Sequence, residues 1–232
     1  MNTKIDWHYH ISGRNIKEDI LTLNNYLKDM NEVYVMASYF PLTKSGVSNY
    51  NLYYHLKNVK KVKLYLSLDF EYYFYQGYNE IVSLLKEDRN KFIGIKIYTG
   101  YQNIDFKSKE FKMVLNLANK YNLYVMFHAG YLKGNKSAFN PIILEDIIYN
   151  NSNIKFIVAH LANPYSSELI SLLNKYSNIY SDISGLVDKK DEISETKAYV
   201  QFIYKNVKDK NKFLFGTDYP IQDYETTLNF IL

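Results

Sequence analysis

The sequence predicts an α/β fold: a single-domain (β/α)8 TIM barrel with a shortened final helix. Eight short β-rich runs alternate with segments of helical periodicity from one end of the chain to the other. The length of 232 residues suits one such barrel, which typically has about 250 residues. Four of the five histidines stand where predicted strands end, and in a barrel those positions converge at one face.

Each strand candidate is a short run rich in β-branched, aromatic and other apolar residues. The eight runs are Ile5–His10, Val33–Tyr39, Lys63–Asp69, Phe92–Tyr98, Tyr124–Ala129, Phe156–Leu161, Ile179–Ile183 and Phe213–Thr217. Because helical segments separate them, consecutive strands are expected to pair in parallel. No glycine-rich phosphate loop follows any strand, so a nucleotide-binding fold is disfavoured.

The helical segments carry apolar residues at i, i+3, i+4 and i+7. In the fourth helix these positions hold Phe111, Val114, Leu115 and Ala118. Ser108 is the expected N-cap of that helix. The last helix is expected from Asp223 to Leu232, which makes it short for a barrel helix.

The chain is mildly basic, with 28 Lys and Arg against 24 Asp and Glu and a net charge of +4. The densest basic stretches are Lys57, Lys60, Lys61 and Lys63, and Lys205, Lys208, Lys210 and Lys212. Both stretches precede strands, so we expect a solvated N-terminal rim and no nucleic-acid partner. The sequence has no apolar signal segment and no run near the roughly 18 apolar residues of a membrane span. We therefore expect a cytoplasmic protein without a membrane partner; a homo-oligomer is compatible with the sequence.

Five residues at the ends of predicted strands are the candidates for a metal-binding and catalytic site. His8 and His10 end the first strand, His128 the fifth, His160 the sixth, and Asp218 the eighth. Each alone is weak evidence, because a single histidine at a strand end is often a core or capping residue. Together, at the face where barrel active sites are built, they predict a divalent metal ion.

The donor types narrow the identity of that metal. The sequence contains no cysteine, so its ligands are imidazole and carboxylate. These ligands suit Zn²⁺, with Fe²⁺ or Mn²⁺ as alternatives. A catalytic ion of this kind keeps one position open for a water molecule, whose pKa falls to about 7.

Alternation along a strand predicts the direction of neighbouring side chains. Since residues two apart share a face, His8 and His10 should point into the barrel together, while Trp7 and Tyr9 point outward. The remaining histidine, His55, falls within a predicted helix, where a surface or packing role is expected.

Five segments, IDWHYH, GIKIY, VMFHAG, FIVAHLANP and FGTDYP, follow the order and strand placement of the amidohydrolase superfamily. The chain most resembles the amidohydrolase-related (amidohydrolase 2) branch, which includes aminocarboxymuconate-semialdehyde decarboxylase and related hydrolases. The likeness runs from Ile5 to Pro220. FGTDYP and the paired histidines of the first strand are its most specific parts.

The resemblance implies a mononuclear site in which His8, His10, His128 and Asp218 bind the metal. It also implies catalytic roles for His160, as a polarising acid/base beside the substrate, and for Asp218, as a proton shuttle.

Lys96, at the end of the fourth strand, leaves a binuclear site open. Binuclear relatives such as dihydroorotase carry a carboxylated lysine there, and His128 and His160 would then bind a second ion. The favoured interpretation is an unmodified Lys96 in the pocket and one metal ion, because the branch with the Asp-Tyr-Pro motif generally uses one.

Further residues are candidates for substrate binding. Arg14 could clamp a substrate carboxylate or lie on the surface, and Asp182 could line the pocket or cap a helix. The segment after the third strand, with Phe70, Tyr72, Tyr73, Phe74 and Tyr75, could form an aromatic wall.

The predicted function is hydrolysis of an amide, ester or lactone of a small molecule by metal-activated water. The alternative is non-hydrolytic decarboxylation of a small unsaturated or aromatic carboxylic acid at the same site. TatD-like nucleases and PHP phosphoesterases also begin with His-x-His, but they need ligands that this chain lacks. A degenerate binding protein is disfavoured because the whole ligand set is present.

Overall fold

The computed structural model describes residues 4–13, 15–37, 47–132, 135–186 and 193–228. The strands are β1 (Ile5–Ile11), β2 (Glu32–Ala37), β3 (Val62–Ser67), β4 (Phe92–Ile97), β5 (Tyr124–Phe127), β6 (Gly130–Leu132), β7 (Asn135–Phe139), β8 (Phe156–Val158), β9 (Ile179–Asp182) and β10 (Phe213–Leu214). Eight of them pair in parallel in the order β1-β2-β3-β4-β5-β8-β9-β10. The predicted (β/α)8 barrel is confirmed, and the hairpin of β6 and β7 is an addition to it.

Helices connect the barrel strands and return the chain for each parallel pairing. They are α1 (Ile16–Tyr26), α2 (Asn49–Leu56), α3 (Phe74–Glu87), α4 (Lys109–Lys120), α5 (Glu145–Asn150), α6 (Ser166–Lys175), α7 (Ile193–Asn206) and α8 (Tyr224–Leu228). Ser108 caps α4 as predicted, since its Oγ accepts from Phe111 N at 3.1 Å. The final helix is short in the described part, and residues 229–232 lie outside it.

The barrel closes between β1 and the segment that follows β10. Trp7 N donates to Phe215 O at 2.9 Å, and His10 N donates to Tyr219 O at 3.0 Å. Apolar residues of alternate strand positions fill the interior below the mouth; they include Tyr34, Met36, Tyr65, Met126 and Ile157. The opposite positions pack against the helices in the larger core.

The expectation that Trp7 points out of the barrel is wrong. Its ring packs edge-on against Tyr34 and Tyr124, at 4.6 and 5.2 Å between centroids, within the interior cluster. The pairing of β1 with β2 shifts inside β1, as at a β-bulge. A bulge interrupts the alternation of side chains, so the direction of Trp7 does not follow from that of His8.

The sixth barrel strand ends earlier than predicted, at Val158 instead of Leu161. His160, Leu161 and Ala162 have positive φ angles of 58°, 45° and 52°. These left-handed conformations end the extended backbone and turn the chain across the mouth. His160 therefore lies on a turn beyond the strand.

Six of the eight lysines named for the N-terminal rim are exposed, as expected, but Lys212 is not. Lys212 is buried, and its Nζ donates to Leu173 O at 2.5 Å. Lys61 Nζ donates to both Leu27 O and Met30 O at 2.8 Å. Carbonyls near helix C-termini lack intrahelical partners, so these ammonium groups satisfy them.

None of the helices in the described ranges is long and apolar enough to cross a membrane.

Candidate metal centre

His8 lies on β1 at the C-terminal mouth and is fully buried. Its Nδ1 is 2.9 Å from Asp182 Oδ2. Because an ionised carboxylate only accepts hydrogen bonds, Nδ1 carries the proton, and a neutral His8 has its lone pair on Nε2. That atom faces His10 and Asp218. Asp182 therefore orients His8 as carboxylates orient metal-binding histidines.

Three ligand-type atoms converge in front of His8. Its Nε2 is 3.2 Å from His10 Nε2 and 3.3 Å from Asp218 Oδ1, and the latter two atoms are 3.0 Å apart. Around an ion with bonds of about 2.0–2.1 Å, tetrahedrally arranged ligand atoms lie about 3.3 Å apart. Two imidazole nitrogens and one carboxylate oxygen thus fit a divalent cation in both chemistry and spacing.

The backbone of Asp218 is held in a conformation that few residues adopt. Its φ is 57°, and its N–H donates to His8 O at 2.7 Å. A Cβ atom placed on Gly185 would lie 2.4 Å from Asp218 Oδ2 and 2.9 Å from His160 Nδ1. Gly185 itself has a φ of 60°. Glycine is therefore required there, both for its conformation and for the approach of the carboxylate.

His160 is held from two sides. Its backbone N–H donates to Asp182 Oδ1 at 3.0 Å, and its ring Nδ1 donates to the backbone carbonyl of Ser184 at 2.9 Å. A neutral His160 then accepts through Nε2, which is 3.2 Å from His128 Nδ1. Neutral His128 consequently carries its proton on Nδ1 and its lone pair on Nε2, the tautomer that an Nε2 ligand needs.

Three of the four predicted metal ligands converge, and the fourth, His128, does not join them. His8, His10 and Asp218 form one donor group, and His8, His160 and Asp182 form a second. Within the described residues, His128 belongs to neither group and is linked to them through His160. Its role as a ligand stays a prediction.

Lys96 lies inside this cluster and is fully buried. Its Nζ is 3.3 Å from His8 Nε2 and 3.5 Å from Met126 Sδ. Tyr98 also faces it, with 5.6 Å from Nζ to the ring centroid. Lys96 is therefore within reach of any cation or substrate group that binds beside His8.

Electrostatics make the site attractive to a cation. Burial and then the charge of Lys96 lower the pKa of His8 to about 3, so His8 is neutral near pH 7. Burial raises the pKa values of Asp182 and Asp218, but neighbouring His8 and His160 hold both well below the ordinary range. Burial lowers the pKa of Lys96 to about 8. Two ionised carboxylates therefore face at most one buried ammonium group.

The other predicted site residues have different positions. Arg14 lies outside the described residues. Asp182 is fully buried and accepts from His8, His160 and Ser184, which favours an orienting role over contact with a substrate. His55 is exposed on α2, as expected for a residue without a role in the site.

The predicted aromatic wall divides into two sets. Phe74 is buried and Phe70 packs against the core, whereas three tyrosines are exposed: Tyr72, Tyr73 and Tyr75. The three tyrosines are therefore the most exposed members of the predicted wall.

Sequence reasoning missed Asp6, which supports the site from behind. This buried carboxylate accepts from His8 N at 2.9 Å, Thr217 Oγ1 at 2.7 Å and Tyr26 Oη at 3.0 Å. Burial raises its pKa to about 7. It ties β1 to the segment that carries Asp218. An aspartate inside a predicted strand was the available signal, since a buried carboxylate requires partners.

Comparison with known proteins gives a family and a set of similar folds. A family model described as amidohydrolase matches residues 80–232. Among curated proteins, none matches the chain. A structure described as a probable 2-pyrone-4,6-dicarboxylic acid hydrolase from Acinetobacter baumannii, with citric acid bound, is similar at a TM-score of 0.71 and 17% identity, covering 100% of this chain and 91% of that one.

Two decarboxylases have similar folds. The 2,6-dihydroxybenzoate decarboxylase from Rhizobium matches with a TM-score of 0.67 and 10% identity, covering 100% of this chain and 93% of the other. The 5-carboxyvanillate decarboxylase from Sphingomonas paucimobilis matches with a TM-score of 0.65 and 10% identity, covering 100% and 92%. At such identities the likeness is one of fold.

Proposed function

Because the chain belongs to the amidohydrolase family, we propose that it is a metal-dependent hydrolase of an amide, ester or lactone of a small molecule. The convergence of His8 Nε2, His10 Nε2 and Asp218 Oδ1 within 3.3 Å carries the proposal. Such a donor group at the mouth of a barrel is typical of catalytic metal sites.

In this proposal His8, His10 and Asp218 hold one divalent ion, most favourably Zn²⁺, and His128 completes the set. When bound, the ion supplies Lewis acidity: it lowers the pKa of water to about 7 and polarises a carbonyl group. The neutral state of His8 and the ionised state of Asp218 are those that ligands require.

Asp218 has two oxygens with different surroundings. Oδ1 faces His8 and His10, whereas Oδ2 lies 4.0 Å from His160 Nδ1. One oxygen can thus bind a cation while the other accepts a proton from the nucleophile and returns it to the leaving group. His160 is the proposed polarising residue, with an orientation set by Asp182 and Ser184.

Metal content and substrate class test this proposal together. Purified full-length protein, prepared without chelator, should contain about one equivalent of divalent metal by elemental analysis. It should hydrolyse members of an ester, lactone and amide panel. His8→Ala should lose the metal, whereas the matched control His55→Ala, on the exposed face of α2, should retain metal and activity.

Two outcomes would overturn the proposal. If the purified protein could not be loaded with any divalent metal, hydrolysis by metal-activated water would be excluded. Release of carbon dioxide from an unsaturated or aromatic acid, without hydrolysis of any panel member, would replace it by decarboxylation at the same residues. Two metal ions bridged by a modified Lys96 would keep hydrolysis but change the number of ions.

A further inference from the structure

A polar cavity lies beside the C-terminal end of β3. Its volume is about 350 Å³, within the size of small-molecule sites. Ser48, Asn49, Ser67, Asp69, Tyr73, Gln76, Gly77 and Glu80 line it. This described lining contains two carboxylates and no lysine, arginine or histidine, so the cavity favours a cation.

Asp69 is the distinctive residue of this cavity. It is only 3% exposed, and Oδ1 accepts from Glu71 N at 2.9 Å and Tyr72 N at 3.1 Å. Oδ2 is buried without a hydrogen-bond partner among the residues that the structure describes. An unpaired oxygen of a buried carboxylate costs stability, and a ligand that donates to it would offset that cost.

The walls of the cavity are held rigidly. Asn49 Nδ2 donates to Ser67 O, and Asn49 Oδ1 accepts from Ser67 N, each at 2.9 Å. Glu80 Oε1 accepts from Tyr50 N at 2.9 Å. On the other side of Asp69, Gln102 accepts from Phe70 N at 2.8 Å. Fixed acceptors bind a donor without first having to be ordered, which favours affinity.

The cavity and the candidate metal centre are built on neighbouring strands. Ser67 pairs with Lys96 across β3 and β4, and neighbouring strands lie about 4.8 Å apart. Lys96 in turn is 3.3 Å from His8 Nε2. The cavity and the centre therefore lie on adjacent strands at the same end of the barrel, although they share no lining residue among those described.

We propose that this cavity binds the ammonium group of a small amine-bearing ligand, with Asp69 and Glu80 as its acceptors. This ammonium site does not depend on the proposed function. A divalent cation is the less favoured occupant, because within the described residues neither group of converging metal-ligand atoms includes Asp69 or Glu80.

Binding is tested on the full-length protein with butylammonium, by ligand-observed NMR, against 1-butanol and butyrate. Butylammonium should bind about 10- to 100-fold more tightly than either comparison compound, the range expected for charge-assisted hydrogen bonds. Asp69→Asn, which keeps the acceptor for Glu71 and Tyr72, should remove that preference, and Glu80→Gln should weaken it. The control Glu71→Gln removes an exposed charge of the same loop outside the cavity and should leave binding unchanged.

Equal binding of the alcohol, or undiminished binding to a folded Asp69→Asn variant, would overturn the proposal. Asp69-dependent binding of Ca²⁺ without binding of butylammonium would overturn it in favour of a metal site. A thermal melt checks that the Asp69→Asn variant is folded. Ammonium binding in a chain without hydrolytic activity would leave this site standing while the proposed function fails.

Discussion

The two ends of the barrel use charged residues in opposite ways. At the mouth, His8, Asp182 and Asp218 are buried against one another, so each charge depends on its neighbours. At the N-terminal rim, the ammonium group of Lys212 donates to backbone carbonyls. Lys91 does the same to Val59 O at 2.8 Å. The mouth therefore concentrates carboxylates where a cation would stabilise them, whereas the buried ammonium groups of the rim already have carbonyl acceptors.

The largest expected effect is at Asp218. Asp218→Ala removes one of the three converging donors and the proposed proton acceptor, so turnover should fall by at least about 1,000-fold and metal affinity should weaken. Steady-state kinetics and elemental analysis measure the two effects. A folded variant that retained both activity and metal would contradict the proposed role of Asp218, because neither metal binding nor turnover would then need its carboxylate.

His160→Ala should separate proton transfer from metal binding. We expect turnover to fall by about 100- to 10,000-fold while the metal content persists, because His160 is absent from the group that contains His10. Metal analysis beside kinetics tests this. Metal loss equal to that of His128→Ala would identify His160 as a ligand and favour two ions.

Asp182→Asn should have a smaller effect, through His8. Loss of the carboxylate that accepts from His8 Nδ1 should weaken metal affinity by about 10- to 100-fold, the range seen for such partners. Competition with a chromophoric chelator measures the affinity. Unchanged affinity in the folded variant would show that Ser184, whose Oγ is 3.0 Å from the same nitrogen, suffices to orient His8.

At the rim, Lys212→Met should lower stability and leave the metal in place. The Leu173 carbonyl would lose a donor in a buried position, so the free energy of unfolding should fall by about 1–3 kcal/mol. Lys208→Met makes the same change on an exposed side chain and should stay within about 0.5 kcal/mol of the unsubstituted chain. Denaturant melts compare the two variants. An equal loss of unfolding free energy in the two variants would show that the buried hydrogen bonds of Lys212 do not stabilise the fold.

The sequence by itself determined the barrel and the placement of its chemistry. Eight β-rich runs and the helical periodicity between them predict the order of elements, since both patterns arise from local burial. His8 and His10 could be assigned to the first strand because position along a strand is also local. Asp218, by contrast, lies four residues past β10, which ends at Leu214 and not at Thr217 as predicted. The convergence of the three then followed from the parallel barrel, whose strand ends meet at one face.

The tertiary structure decided the details that depend on distant residues. The tautomer of His8 is set by Asp182, 174 positions along the chain, and the burial of Lys212 by the end of α6. The bulge that turns Trp7 inward reflects the pairing of β1 with β2. The left-handed turn at His160 is held by contacts to β9 and the residues after it. No local pattern encodes these features, because their energies come from partners that only the closed barrel brings together.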